Sequence, residues 1–233
     1  MNYEYKYSEN CVFKNNCPRE RRVGCNYDCP IQPEIDMLLK TSNLPDEFID
    51  KKSLYPEQQD LKTFETLDAI RKDIVNFTND GRFLYLWSHG VGVGKTSWVI
   101  KIVKTYLAMV CIGNCFKPRA WFEYLPTFVL LTKEFNNDSR QESINNLRER
   151  DLVIIDDIGS INSSNYDITT LSSIIDYRCS HGKATLFTSN LSPQELEKVV
   201  GVRLTDRVAS DIVLELRGSS RRVSTNEYVP RGR

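Results

Sequence analysis

A lysine, a threonine and a series of glycines form the stretch of this sequence with the clearest chemical meaning. Residues 90–97 read Gly-Val-Gly-Val-Gly-Lys-Thr-Ser. Glycines let a loop curl until its backbone N–H groups converge on phosphate oxygens. The ammonium of Lys95 would contact the β- and γ-phosphates of a nucleotide, and the hydroxyl of Thr96 would bind Mg²⁺. The predicted ATP- or ADP-binding residues are Gly90, Val91, Gly92, Val93, Gly94, Lys95, Thr96 and Ser97.

The loop departs at one position from the usual P-loop pattern G-x-x-x-x-G-K-[ST], because His89 replaces the first glycine. A glycine-rich turn with a chance lysine is the alternative interpretation. The flanking sequence favours a P-loop. The apolar residues 83–87 predict a buried strand before the loop, and residues 97–111 predict a helix after it.

A pair of carboxylates follows a second apolar run in the stretch Asp151-Leu-Val-Ile-Ile-Asp-Asp-Ile-Gly159. Four apolar residues followed by Asp156 and Asp157 are typical of a buried parallel strand with acids at its carboxyl end. Ligands bind at that edge of open α/β sheets. We predict that Asp156 binds Mg²⁺ together with Thr96 and that Asp157 polarises the attacking water. A solvated turn is the alternative.

Four cysteines near the N-terminus form a possible metal site: Cys11, Cys17, Cys25 and Cys29, with intervals of five, seven and three residues. The surrounding residues are polar and basic and cannot bury a core, so a cross-link is needed to order them. We predict a tetrahedral thiolate zinc site. An iron–sulfur cluster and four unliganded or redox-active thiols are the alternatives.

Composition and hydrophobic periodicity indicate a globular α/β protein. The chain has 233 residues, of which 40% are hydrophobic, and a formal net charge of zero, so any nucleic-acid contact must come from a local patch. No apolar run reaches membrane-spanning length and no signal peptide is apparent, which predicts a cytoplasmic protein without membrane contact. Further strands are expected at residues 120–125, 183–190 and 211–217, and further helices at 33–42, 60–79, 126–135, 141–150 and 167–179.

Five sequence features together resemble AAA+ ATPases of the DnaC type, the bacterial and phage replicative helicase loaders, with the IstB-like transposition ATPases as close relatives. They are the P-loop, Asp156-Asp-Ile-Gly159, Thr188-Ser-Asn190, Gly201-Val-Arg-Leu-Thr-Asp-Arg207 and Gly218-Ser-Ser-Arg-Arg222, in that order. The resemblance covers about residues 60–225. It implies a three-layer P-loop domain with a parallel sheet and a reduced or absent helical lid.

The resemblance also implies roles for single residues. Asn190 looks like sensor I, which orients the attacking water. Arg207 looks like the arginine finger that reaches the γ-phosphate bound by a neighbouring subunit, with Arg203 as its competitor. Arg222 looks like sensor II, with Arg221 as its competitor. Asp157 stands where most AAA+ proteins have a glutamate, and the shorter side chain predicts slow hydrolysis.

Three segments follow from these motifs: a Cys-rich zinc module and linker at residues 1–55, an ATPase domain at 56–225 and a polar tail at 226–233. The resemblance implies an ATP-dependent helicase loader that forms a homo-oligomer when active and contacts a replicative helicase and single-stranded DNA. Two alternatives remain: a transposition ATPase that binds duplex DNA, and a nucleotide-gated adaptor with negligible hydrolysis.

Overall fold

The structure is a computed structural model that describes residues 31–45, 55–112, 114, 116–131, 137–160 and 165–221. A single turn of 3₁₀ helix, Gln58–Asp60, precedes the second helix. In chain order the other elements are α1 (Ile31–Lys40), α2 (Leu61–Lys72), α3 (Ile74–Asn79), β1 (Phe83–Trp87), α4 (Lys95–Val110), β2 (Ala120–Tyr124), α5 (Leu125–Leu131), α6 (Asn137–Glu149), β3 (Leu152–Asp156), α7 (Asn165–Ser180), β4 (Ala184–Ser189), α8 (Pro193–Val200), α9 (Val202–Val208) and β5 (Ile212–Glu215).

The five strands form one parallel sheet in the order β2-β3-β4-β1-β5. Parallel neighbours need crossover connections, and helices supply them here. The α/β class and the parallel sheet predicted from the sequence are therefore confirmed.

Helices cover both faces of this sheet, which explains why the central strands are apolar along their whole length. In β1, the side chains of Leu84 and Leu86 pack with α1 to α4 on one face. Phe83 and Tyr85 point to the opposite face, where α5 to α9 pack. The architecture is the predicted three-layer arrangement.

Several predicted helix bounds differ from the structure. The helix expected at residues 60–79 is divided at Asp73, whose φ of −105° and ψ of 21° lie outside helical geometry. Helix α4 begins at Lys95 instead of Ser97, because the helix starts directly from the left-handed Gly94. Helix α6 begins at Asn137, before the start at residue 141 that the sequence predicts.

Residues 31–45 pack against α4 and β2 of the sheet domain. Ile35 and Leu38 of α1 are almost fully buried in the core shared with α4. The carbonyl of Ser42 accepts a 2.8 Å hydrogen bond from the N–H of Phe122 in β2. The Asn43 amide donates to the Phe122 carbonyl at 2.8 Å. These contacts cover part of an edge strand that otherwise has unpaired backbone groups.

A buried arginine joins the elements at the opposite end of the sheet from the predicted site. Arg178 of α7 is fully buried and donates to the carbonyls of Leu147, Arg150 and Ala184 and to the hydroxyl of Thr185. Burial lowers the pKa of its guanidinium to about 9, so the group stays charged at neutral pH. Carbonyls near the C-terminus of α6 are favourable partners for this charge.

The described part of the chain contains neither a membrane-spanning helix nor a cluster of metal-binding side chains. None of its helices combines the length and the apolar character needed to cross a bilayer. Its His, Cys, Asp and Glu side chains form no group of three or more with metal-binding geometry.

Candidate functional site

The P-loop, the paired acids and Asn190 meet at the carboxyl edge of three adjacent strands, β3, β4 and β1. The P-loop follows β1, Asp156 ends β3 and Asn190 directly follows β4. This juxtaposition depends on the sheet order, because the three strands are far apart in the sequence. Ligand sites of open α/β sheets occupy this edge.

The glycines of the P-loop serve different purposes. Gly92 and Gly94 have φ values of 80° and 104°, in the left-handed region that side chains disfavour. Gly90 is needed for space, since a Cβ there would lie 2.6 Å from Cγ1 of Val93. The φ of His89 lies outside the left-handed region, so the loop tolerates a side chain at its first position. The His89 ring instead packs edge-on against Trp87, with ring centroids 5.1 Å apart.

Lys95 is held at the centre of the site by neutral oxygens. Its Nζ donates to Oδ1 of Asn190 at 2.8 Å and to the carbonyls of Gly90 and Ser88 at 3.0 and 3.3 Å. The Asn190 amide nitrogen in turn donates to Oδ1 of Asp157 at 2.8 Å. Asn190 therefore connects the P-loop lysine to the second carboxylate, so all three side chains lie within reach of one small ligand.

Asp156 is the buried carboxylate of the site. Its Oδ1 accepts hydrogen bonds from Oγ1 of Thr188 at 2.6 Å and from Oγ1 of Thr96 at 3.0 Å. Burial raises the pKa of Asp156, and these two hydroxyls oppose the rise. A divalent cation would stabilise the charged form of Asp156, and the oxygens of Thr96 and Asp156 are the hard ligands that Mg²⁺ prefers.

Asp157 has an unusual backbone conformation, with a φ of 63°. Aspartate and asparagine tolerate this region better than most residues. The Asp157 N–H donates to Oγ1 of Thr188 at 3.0 Å, and the Asp157 side chain is only partly buried. The turn therefore directs one acid of the pair to the hydroxyls of Thr96 and Thr188 and leaves the other, partly buried, beside Asn190.

The two candidate finger arginines lie on α9 and share one carboxylate of α7. An Nη of Arg203 is 2.7 Å from Oδ2 of Asp176, and Nε of Arg207 is 3.4 Å from Oδ1 of the same residue. Both side chains are at least half exposed. An arginine that completes the site of another subunit is expected to be accessible in this way.

Some predicted residues lie outside the described part of the chain: Arg222, Cys11, Cys17, Cys25 and Cys29. Arg221, the competitor for the sensor II role, is described. Its guanidinium contacts the P-loop backbone and Asp60.

The sequence motifs include Thr188 and Arg221 but do not indicate the contacts that these two residues make in the site. Thr188 is part of a sequence motif, but the motif does not show that its hydroxyl contacts both Asp156 and the backbone of Asp157. Its position at the polar end of an apolar strand was the available signal. Arg221 had no comparable signal, because its P-loop partners lie far away in the sequence.

Comparisons with known proteins find replicative helicase loaders among the relatives. The chain is 27% identical to the replicative helicase loader DnaI of Bacillus subtilis over 215 residues, which is 78% of this chain and 63% of DnaI. It is 33% identical to the replicative helicase loader DnaC of Escherichia coli over 70 residues, or 30% of this chain and 29% of DnaC. The chain thus spans less than two thirds of the length of these relatives. No family model matches it.

Solved structures support the fold. A crystal structure of DnaI aligns with a TM-score of 0.60 and 21% identity, covering 76% of this chain and 96% of that one. The replication initiator DnaA, solved with AMPPCP and single-stranded DNA, aligns with a TM-score of 0.55 and 16% identity over 71% of this chain and 49% of that one. At these identities the likeness concerns the fold alone.

Sequence and fold lead to the same group of proteins. The P-loop lysine, the paired acids and the asparagine that the motifs pointed to lie in one site. The chain is similar to the DnaI and DnaC replicative helicase loaders, which confirms the resemblance to DnaC-type AAA+ proteins that its motifs indicated.

Proposed function

We propose that this protein is an ATP-dependent helicase loader, which delivers a replicative helicase to single-stranded DNA in the cytoplasm. The observation that carries the proposal is the hydrogen-bonded series Lys95–Asn190–Asp157 beside Thr96 and Asp156. These are the groups that nucleotide binding and hydrolysis require, and they occur in a chain similar to loaders.

Nucleotide would bind on the P-loop, with the backbone N–H groups and Lys95 contacting its phosphates. Thr96 and Asp156 would hold Mg²⁺, which neutralises developing phosphate charge during phosphoryl transfer. Asp157 and Asn190 would orient the attacking water. Hydrolysis is expected to be slow, because Asp157 is one methylene shorter than a glutamate. Slow turnover suits a protein in which the bound nucleotide acts as a switch.

The proposed partners follow from the relatives and from the site. The DnaI and DnaC relatives are named helicase loaders, and the DnaA structure contains single-stranded DNA. We propose that the active form is a homo-oligomer, in which Arg207 reaches the nucleotide of the next subunit. Its exposure on α9 is compatible with a contact between subunits.

The proposed segments are an ATPase domain at residues 56–225, a partner-binding module at 1–55 and a tail at 226–233. Within the module, residues 31–45 pack on the ATPase core and would form its connection to the ATPase domain. The cysteines of the module lie before this connection.

We expect the purified protein to contain about one zinc ion per chain, because four thiolates complete a tetrahedral site. Elemental analysis of protein purified without chelator measures this directly. A Cys11→Ser and Cys29→Ser double variant should lose the metal and retain nucleotide binding. Iron with visible absorbance would favour a cluster, and a metal-free protein with four titratable thiols in residues 11–29 would exclude both metal sites.

Association with the replicative helicase of the host is the test of the proposed function. Tagged wild-type protein should retain the helicase in a pull-down with ATP and Mg²⁺, and deletion of residues 1–30 should abolish retention while ATP binding persists. Retention of duplex DNA and a transposase instead of the helicase would favour the transposition alternative. Retention of the helicase without measurable ATP turnover would favour the adaptor.

A further inference from the structure

The residues that follow β5 cross over the P-loop and bind its backbone. The N–H of Leu216 donates to the carbonyl of Trp87, at the end of β1, at 2.9 Å. Five residues later, the N–H of Arg221 donates to the carbonyl of Gly92 at 2.9 Å. The P-loop is therefore bound by a segment of the chain that the motif itself does not include.

The guanidinium of Arg221 extends this contact. One of its terminal nitrogens donates to the carbonyl of Val93, and the other donates to Oδ2 of Asp60 at 3.0 Å and to the carbonyl of Tyr55 at 3.3 Å. The guanidinium also lies over the ring of Phe64, 5.2 Å from its centroid. Only 17% of the Arg221 side chain is exposed. Both terminal nitrogens of this guanidinium are hydrogen-bonded and its plane lies over an aromatic ring, so its orientation is fixed.

Asp60 completes the arrangement as a buried counter-charge. Its side chain has no exposed surface, and its Oδ1 accepts a 2.7 Å hydrogen bond from the N–H of Arg217. Space for the pair depends on Gly218, where a Cβ would lie 2.3 Å from Oδ2 of Asp60. A buried carboxylate is stable only with a counter-charge and hydrogen-bond donors, so Asp60 and Arg221 are treated as one buried ion pair.

The geometry points to Arg221 and Asp60 as a positioning pair that orients the P-loop amides for phosphate binding; this inference rests on the proposed nucleotide binding. The peptide group is planar and trans, so its carbonyl and N–H point in opposite directions. Holding the Gly92 carbonyl fixes the direction of the Val93 N–H, and holding the Val93 carbonyl fixes that of the Gly94 N–H. Both amides are thereby directed away from Arg221, toward the side where phosphate oxygens bind.

Lysine cannot replace Arg221 in this role. A single ammonium on a flexible stem can reach the Val93 carbonyl or the Asp60 carboxylate, but it lacks the rigid fork that spans both. The Arg221→Lys variant keeps a positive charge near the phosphates while losing the orientation. This separates the positioning role from a general effect of charge on an anionic ligand.

The test compares KM for ATP and kcat of the wild type with those of Arg221→Lys and of the double variant Asp60→Asn/Arg221→Gln. The double variant removes both buried charges and so avoids an unpaired carboxylate. We expect KM for ATP to rise at least about tenfold in both variants, since misplacing the groups that position a substrate lowers kcat/KM by about one to two orders of magnitude. We expect kcat at saturation to stay within about threefold, because the pair touches neither Asp157 nor Asn190. Arg217→Ala is the matched control, as its exposed side chain pairs with Glu215 and its N–H remains.

Thermal unfolding without nucleotide distinguishes this role from a purely structural one. A lower melting temperature with an unchanged KM in both folded variants would overturn the inference, and so would a KM rescued to the wild-type value by Arg221→Lys. Failure of the wild type to bind ATP would refute the proposed function instead. Loss of binding in Lys95→Ala with wild-type KM in the Arg221 variants would refute the positioning pair alone.

Discussion

A mixture of Arg207→Ala and Lys95→Ala proteins should hydrolyse ATP, although each variant alone should be nearly inactive. In a mixed oligomer, some interfaces join an intact P-loop from an Arg207→Ala subunit to an intact finger from a Lys95→Ala subunit. Arg207 alone should account for about a thousandfold or more in turnover, as arginine fingers do in other phosphoryl-transfer sites. The measurement is phosphate release by each protein and by the mixture, with single-stranded DNA and helicase present to support assembly.

The pairing of both arginines with Asp176 supplies the matched control for this experiment. Arg203 shares that carboxylate and is the more exposed of the two, so Arg203→Ala removes a similar charge from the same surface. If Arg207→Ala costs about threefold or less while Arg203→Ala costs far more, the finger role belongs to Arg203. A mixture that stays inactive under assembling conditions would show that the arginine does not act between subunits.

Lys95→Ala should weaken ATP binding by at least about a hundredfold, because the ammonium is the main cationic partner of the β- and γ-phosphates. Asp157→Asn should bind ATP within about twofold of the wild type and lose turnover by at least about a hundredfold, since it removes the base near the water. Asparagine also tolerates the positive φ at this position. Titration with a fluorescent ATP analogue and steady-state phosphate release measure the two effects separately.

The control for the lysine variant is Lys101→Ala, which removes a lysine from the same helix where its ammonium lies over Trp98. It should bind ATP as the wild type does. Wild-type ATP affinity in Lys95→Ala would refute the P-loop interpretation. Lost binding in Asp157→Asn would instead show that Asp157 helps to hold the nucleotide.

Local patterns were sufficient to predict the parts of the site that are contiguous in sequence. The P-loop and the pair Asp156 and Asp157 are each determined by a strand followed by a specific turn, so their residues could be named from the sequence. The sheet order is not local, but apolar strands that end in polar residues implied that these ends would meet.

Contacts between distant segments could not be read from the sequence. The hydrogen bond from Thr188 to Asp156 requires β3 and β4 to be neighbours, and 128 positions separate Arg221 from Val93. The burial of α1 likewise depends on the surface that α4 offers, which periodicity alone does not specify. The division at Asp73 has no signal in the periodicity either, because the apolar pattern continues through it.

The most direct test of the loader proposal is transfer of the host replicative helicase onto closed circular single-stranded DNA, which has no ends for the helicase to thread. The measurement is the amount of helicase that remains on the circles after a high-salt wash. We expect stable loading with the wild type and ATP, and none without the protein or with Lys95→Ala. Equal loading with and without the wild-type protein, using a helicase that binds it, would contradict the proposal.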